Sequence, residues 1–298
     1  MKRANIVLNN RWQRKLEFQE VPILEVKKSK KPLRWFTPFA FGSVLLCLLV
    51  VILLIGPLFS LFSPAAVSSG PRLSPPGTIH WFGTDALGRD LFSRIIFGFR
   101  TSIYICVAAT LLTAVPGIIL GLISGYYQGW IDQIFSRLID ILLSLPGLLL
   151  AIVLIARLGP SIHTLIVALG ITGIPTFYRI TRNETISMSN QLFVEASRSL
   201  GNTNFKLIFR HIFPNIFPTL LVLSSMRVGV YLLMGSGLGF IGLGIQPPLS
   251  ELGALLASGK EYYQSAWWLF AFPTFFICFT VLTLNLFGEG LRDKYNHL

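Results

Sequence analysis

The chain has 298 residues, of which 53% are hydrophobic and 13% charged, with a formal net charge of +12. An average soluble domain carries about 25% charged residues, so these values exclude an ordinary soluble globule and indicate an integral membrane protein. The positive excess does not mark a nucleic-acid binder, because the Lys and Arg residues are not interleaved with aromatics in a recognisable nucleic-acid fold.

A helix needs about 20 mostly apolar residues to cross hydrocarbon, where each unpaired backbone N–H or C=O costs several kcal/mol. Six runs meet that requirement: residues 38–62, 101–125, 138–156, 163–181, 216–241 and 267–288. They lack the alternating pattern of barrel strands. The expected fold class is therefore all-α, a polytopic protein with six transmembrane helices.

Residues 1–37 hold Lys2, Arg3, Arg11, Arg14, Lys15, Lys27, Lys28, Lys30, Lys31 and Arg34 against Glu17, Glu20 and Glu25. This bias predicts a cytoplasmic N-terminal tail. Six crossings would return the C-terminus, with Arg292 and Lys294, to the same side. The first apolar run is too long for a signal-peptide core and follows a hydrophilic stretch, so it reads as an uncleaved anchor. Cys47, Cys106 and Cys278 all fall inside predicted spans and read as small buried hydrophobes, with no ligand or disulfide spacing.

Residues 63–100 are then extracytoplasmic. Their "PRLSPPGTIHWFGTDALGRDLFSRIIFGFRTS" opens as a Pro/Gly loop, and "DLFSRIIFGF" predicts an amphipathic turn or two laying Leu91, Ile95 and Ile96 against the membrane. Asp85, Arg89, Asp90 and Arg94 are spaced for local pairing. Within the second run Gly117, Gly121 and Gly125 repeat every fourth residue, which predicts close approach of another helix. Pro116 and Pro146 predict kinks or local unwinding.

Two motifs are excluded by context. "GALLASGKE" resembles a phosphate-binding loop, but the Gly253 to Gly259 spacing is one residue too long and Glu261 stands where a magnesium-binding hydroxyl belongs. "GLGFIG", Gly237 to Gly242, has no preceding strand, and helix packing is the expected use of its glycines. His80, His163, His211 and His297 are scattered, and no nucleophile, base and oxyanion site come together. The chain is expected not to be an enzyme.

The stretch "EASRSLGNTNFKLIFRHIFPN", residues 195–215, interrupts the apolar runs. Phe205, Ile208, Phe209, Ile212 and Phe213 recur at helical spacing, with Lys206 and Arg210 on the opposite face. Leu192, Ala196 and Leu200 form a shorter stripe. Gly201 followed by Asn202 and Thr203 reads as a left-handed helix end joined to a new N-cap, and Pro214 as the end of the second helix. A helix–turn–helix is expected on the cytoplasmic side, its stripes packed on the spans and its turn projecting. An ordinary connector lying on the headgroups is the alternative.

This stretch resembles the EAA signature of permease subunits of ATP-binding-cassette importers, with Glu195, Ala196, Gly201 and Pro214 on its defining positions; Ser197 and Phe213 are mild departures. "HWFGTDALGRDLFSRIIFG", "GYYQGWIDQIFSRLIDILLSLPGLLLAI", "FIGLGIQPPLSELGALLASGKEYY", "AWWLFAFP" and "LTLNLFGEGLRD" are similar to the C-type permeases of dipeptide, oligopeptide and nickel systems. The resemblance implies a type I importer permease in a bacterial or archaeal cell membrane, with a five-helix core and one N-terminal helix. It implies a homologous B-type permease, two cytoplasmic ATPases that bind ATP and magnesium, and an extracytoplasmic binding protein as partners, and no cofactor in this chain. The segment 192–215 would be the coupling element, with Glu195, Ala196, Gly201, Lys206, Arg210 and Pro214 meeting an ATPase.

An ion-driven carrier is the competing class. It needs intramembrane acids and usually a repeat, whereas Asp140 alone lies well inside a run, near its cytoplasmic end. Arg227 lies about 11 residues into the fifth run, at a depth where an arginine costs about 2.5–3.5 kcal/mol, so it cannot face lipid. It departs from the family pattern. Either it pairs with a carboxylate on the partner permease, or it lines the pathway with Ser224 and Ser225 and meets an anionic group on the cargo.

Overall fold

The computed structural model describes residues 38–296; the basic tail over residues 1–37 and His297 lie outside them. The helices are α1 (Pro38–Ile55), α2 (Leu91–Tyr127), α3 (Gly129–Leu143), α4 (Gly147–Leu158), α5 (Ile162–Ser189), α6 (Leu192–Ser199), α7 (Asn204–Lys206), α8 (Phe213–Leu238), α9 (Leu252–Gly259) and α10 (Trp268–Asn296), and no strand forms among the described residues. Five continuous helical stretches are long and apolar enough to cross a membrane, and α3 with α4 makes a sixth candidate bent by 77°. The third span predicted at 138–156 is thus a broken pair interrupted at residues 144–146. Pro146 sits at the break, before the first turn of α4, as a residue lacking an N–H should. Pro116, by contrast, lies within α2 without interrupting it.

Helix α2 starts earlier than the apolar run suggested. The Asp90 carboxylate accepts from the Ser93 N–H at 2.8 Å and from the Ser93 hydroxyl at 2.7 Å, capping the orphan amides of a helix N-terminus. Leu91, Ile95 and Ile96 are consequently the first turns of α2 and are buried in the protein core, not laid on the membrane. The expected charge pairing is present. Asp85 accepts from the Arg89 Nε at 2.7 Å and from the Arg94 guanidinium, while His80 Nδ1 lies 2.9 Å from Asp90. Burial pushes the Asp85 carboxyl up, but hydrogen bonds from Arg89 and the Arg94 charge outweigh it and hold the group below its ordinary value. Trp268 at the head of α10 donates to the Thr84 carbonyl at 3.2 Å, fastening this loop to the bundle.

The central contact is α2 on α5. A methyl placed on Gly117, Gly121 or Gly125 would come within 2.5, 2.7 and 2.8 Å of the Cβ atoms of Phe177, Thr181 and Thr185 respectively. The glycine repeat therefore lets two backbones touch, as its spacing predicts. Matching residues ascend together, so α2 and α5 run parallel, with the bent α3–α4 pair returning the chain between them. Helix α1 packs on α10 through Gly42, against the Leu286 and Phe287 backbone. Gly239, just after α8, packs in the same way on Gly253 and Ala254 of α9, whereas a Cβ on Gly237 or Gly242 of the same motif would meet nothing within 4 Å. Cys106 is buried, whereas Cys47 and Cys278 are exposed on the bundle, contrary to the buried role expected for all three.

Candidate functional site

At the end of the bundle where α2 and α5 finish, the chain folds into a short projecting structure. Helix α6 follows α5 after two residues and ends at Gly201, whose φ of +78° is the left-handed conformation predicted from sequence. A side chain there would meet nothing within 4 Å, so the turn is open to the outside. The Thr203 side chain then caps α7, and residues Leu207–Ile212 form a wide π-type turn that leads directly into α8.

Side-chain hydrogen bonds fix this turn. Asn202 Nδ2 donates to the Ser197 carbonyl at 3.0 Å and its Oγ at 2.9 Å, and the same Oγ lies 3.2 Å from His211 Nε2. Tyr126, at the end of α2, donates to Asn204 Oδ1 at 2.8 Å. Below them Val194, Leu207, Ile208 and Ile212 form a buried cluster with Leu122, Ile216 and Leu220. The projecting element is thus seated on α2 and α8 by an apolar plug and a polar clasp. Ser197 is a hub of that clasp.

Three expectations for this stretch are corrected. Leu192, Ala196 and Leu200 do not pack on the spans: Leu192 is 81% and Leu200 84% exposed, and Ala196 is exposed as well, while Val194 and Ser197 turn inward. Phe205 and Phe209 also point outward, their rings 4.6 Å apart, and Leu207 takes the buried place. The π-type turn carries an extra residue and rotates the face that a regular helix would present. Pro214 does not end the helix. It stands in the first turn of α8, where a missing N–H costs little. Glu195, Lys206 and Arg210 are exposed, so the outward surface combines apolar Leu192, Phe193 and Leu200 with charge of both signs.

The interior residues fall elsewhere. Arg227, half-buried on α8, donates from Nη2 to Thr176 Oγ1 on α5 at 2.7 Å, and no ion pair to it occurs among the described residues. Ser224 and Ser225 donate to the carbonyls of Leu220 and Val222, each at 2.7 Å, so both hydroxyls are engaged on their own helix. A cleft of about 300 Å³ between α5, α8 and α10 includes Ile180, Glu184, Thr219, Leu223, Met226 and Arg292. Thr176 and Arg227 continue the i, i+4 series of this lining by one turn on each helix, so their hydrogen bond lies past its inner end. Deeper still, the Tyr231 hydroxyl lies 2.8 Å from that of Thr113, which also donates to the Gly170 carbonyl at 2.8 Å.

Sequence reading missed a further polar cluster around Asp132, where Ser124, Ser136, Tyr178 and Arg182 converge. Its one legible signal was the spacing Asp132, Ser136, Asp140 along a helix face.

A bundle of long apolar helices carrying a projecting, clasped turn between its fourth and fifth spans defines a membrane permease. Residues 117–296 match the family described as binding-protein-dependent transport system inner membrane component. The dipeptide transport system permease protein DppC of Alkalihalophilus pseudofirmus is 39% identical over 252 residues, covering 85% of this chain and 83% of the relative. The glutathione transport system permease protein GsiD of Pectobacterium atrosepticum is 36% identical over 291 residues, covering 95% and 96%. An amino acid ABC transporter crystallised with histidines shares the fold, with a TM-score of 0.53 at 18% identity over 69% of this chain and 94% of that one. The MetNI methionine ABC transporter in an inward-facing form gives 0.51 at 17% identity, over 65% and 94%. The chain belongs to the inner membrane component family and is a transmembrane permease subunit of an ATP-driven importer, not an ion-driven carrier.

Proposed function

We propose that this chain is the C-type permease of a peptide importer and that residues 192–215 couple it to an ATPase. The relatives carry dipeptide and glutathione transport in their names, which supports small peptides as cargo over nickel or longer oligopeptides. In this reading a homologous B-type permease completes the pathway, an extracytoplasmic binding protein delivers cargo, and two cytoplasmic ATPases bind ATP and magnesium. Residues 1–37 form a cytoplasmic tail, 38–62 the N-terminal helix, 63–100 an outer loop and 101–298 the permease core, with both termini in the cytoplasm.

The observation that supports coupling is the outward surface of the clasped turn. Exposed Leu192, Phe193 and Leu200 around an open Gly201 suit a protein groove, since a projecting apolar knob gains by burial at about 25 cal/mol per Å². Glu195, Lys206 and Arg210 border it with charges that can pair across the groove. The apolar plug and polar clasp beneath make the knob move with α2 and α8. Arg227 belongs to the same proposal as a pathway residue, facing an anionic group of the cargo from the end of the cleft.

The test compares Glu195→Ala, Gly201→Trp and Gly201→Asn in the assembled transporter. Asn tolerates positive φ, so it separates backbone strain from bulk. A charge-assisted hydrogen bond accepted by Glu195 would contribute about 1.5–3 kcal/mol. Glu195→Ala and Gly201→Trp should keep the permeases paired while lowering alanyl-alanine uptake and cargo-stimulated ATP hydrolysis at least tenfold, with Gly201→Asn close to wild type. Undiminished uptake in the first two would return the segment to a plain membrane-surface connector.

A further inference from the structure

Helix α3 is held to the rest of the protein by an unusual seam. Among its fifteen residues only Ile139 is buried, and Trp130, Ile134, Leu138 and Ile141 are exposed. Its inward face carries Asp132, Ser136, Ile139 and Asp140, at i, i+4, i+7 and i+8. Asp132 takes a two-pronged contact from Arg182 on α5, Nε to Oδ1 and Nη2 to Oδ2, both at 2.5 Å. The Ser124 hydroxyl of α2 donates to the same carboxylate. Tyr178 lies 2.7 Å from Ser124 and 3.0 Å from Ser136, and Arg179 reaches Asp140 at 3.0 Å.

The seam is also incompletely filled. A cleft of about 220 Å³ opens between α3 and α5, lined by Ser136, Ile139, Asp140, Tyr178, Arg179 and Arg182. Helices α2 and α5, by contrast, touch backbone to backbone through Gly117, Gly121 and Gly125, and α5 runs into α6 after two residues. One rigid block therefore carries the projecting turn, and a loosely packed arm, α3 with the bend to α4, hangs from it by hydrogen bonds centred on one carboxylate. Bidentate guanidinium–carboxylate pairs are directional, so such a joint has a defined closed position and can open without disturbing an apolar core.

We propose that Asp132 is a positioning residue that latches α3 to the α2–α5 block through Arg182, so that movement of the coupling segment is passed to the α3–α4 arm. The proposal deepens the coupling reading and rests on it for its transport consequence, whereas the latch itself does not depend on that reading.

The experiment uses the reconstituted transporter, with alanyl-alanine as the probe, and compares wild type, Asp132→Asn and Arg182→Lys. Hydrogen exchange over residues 129–143 should quicken at least tenfold in Asp132→Asn, while residues 104–125 and 165–185 keep their protection. Uptake per ATP hydrolysed should fall at least fivefold, with ATP hydrolysis retained. Arg182→Lys keeps the charge and loses the fork, and it should lie between the two. Should Asp132→Asn not assemble, Arg182→Lys carries both readouts. Unchanged exchange over 129–143 overturns the latch. Quickened exchange with unchanged uptake per ATP overturns its role in transmission, and leaves the Glu195 and Gly201 variants to judge the coupling reading separately.

Discussion

Gly121 of α2 lies so close to Thr181 of α5 that a methyl group on the glycine would stand 2.7 Å from the Thr181 Cβ and 2.9 Å from the Tyr178 carbonyl oxygen. The second contact is to backbone, which cannot swing aside as the end of a flexible side chain can. Gly121→Val should therefore separate α2 from α5, with an overpacking cost of about 1–3 kcal/mol. The expected result is a lower melting temperature of the purified permease pair and a reduced yield. Gly237→Ala, where a Cβ meets nothing within 4 Å, should leave both unchanged.

Features that depend on neighbours in sequence were legible, and features that depend on rotation of a face were not. The glycine repeat predicted a close helix contact because small residues at i, i+4 say so without knowing the partner. Gly201 predicted its own positive φ for the same local reason. The inward face of residues 205–213 was misjudged because the wide turn at Leu207–Ile212 adds a residue, which leaves Phe205 and Phe209 outward and Leu207 inward. Apolarity alone also cannot distinguish a side chain seated in the core from one offered to a partner, as Leu192 and Leu200 illustrate. The start of α3 was placed late because Asp132 and Arg137 lower the hydropathy of its first turns, although Asp132 is what fastens it.

The placement of the projecting turn on the cytoplasmic side rests on the Lys and Arg excess of residues 1–37. Single cysteines at Val67 and Leu200, both exposed, provide the check. An impermeant thiol reagent applied to intact cells should label Val67→Cys and spare Leu200→Cys until the membrane is opened. Labelling of Leu200→Cys in intact cells would remove any contact with a cytoplasmic ATPase.

Glu251 introduces a pH dependence. It directly precedes α9, is 1% exposed, and accepts the Ile245 N–H at 3.1 Å. Burial pushes its carboxyl from an ordinary 4.5 up to about 7, with the Ile245 hydrogen bond only partly offsetting the shift. Between those values the folded chain holds a proton that the unfolded chain has released, so stability falls as pH rises through this window. The full shift corresponds to about 3 kcal/mol. Glu251→Gln keeps a hydrogen-bond acceptor and cannot ionise. It should melt close to wild type at pH 5 and several degrees higher at pH 8, measured on the purified complex in detergent. A wild-type protein whose melting does not decline between pH 5 and pH 8 would contradict the assignment.

The Arg227–Thr176 hydrogen bond is the place to test the proposed pathway role of the arginine. An arginine this far along a spanning helix is costly in lipid, and its observed partner is a neutral hydroxyl on α5 at 2.7 Å, which leaves the positive charge without compensation among the described residues. A peptide brings a terminal carboxylate, and the cleft between α5, α8 and α10 ends one turn from this guanidinium. Arg227→Gln can still donate to Thr176 but carries no charge. If Arg227 receives the carboxylate, the variant should reduce uptake of alanyl-alanine at least tenfold and that of its C-terminal amide no more than twofold, with the two permeases still co-purifying. Thr176→Val should lower alanyl-alanine uptake by less than Arg227→Gln does and leave the amide close to wild type, because it releases the arginine from its seat without removing the charge. Equal loss for both probes in Arg227→Gln, together with weakened pairing of the permeases, would assign the guanidinium to a carboxylate of the partner permease and end its role as a reader of cargo.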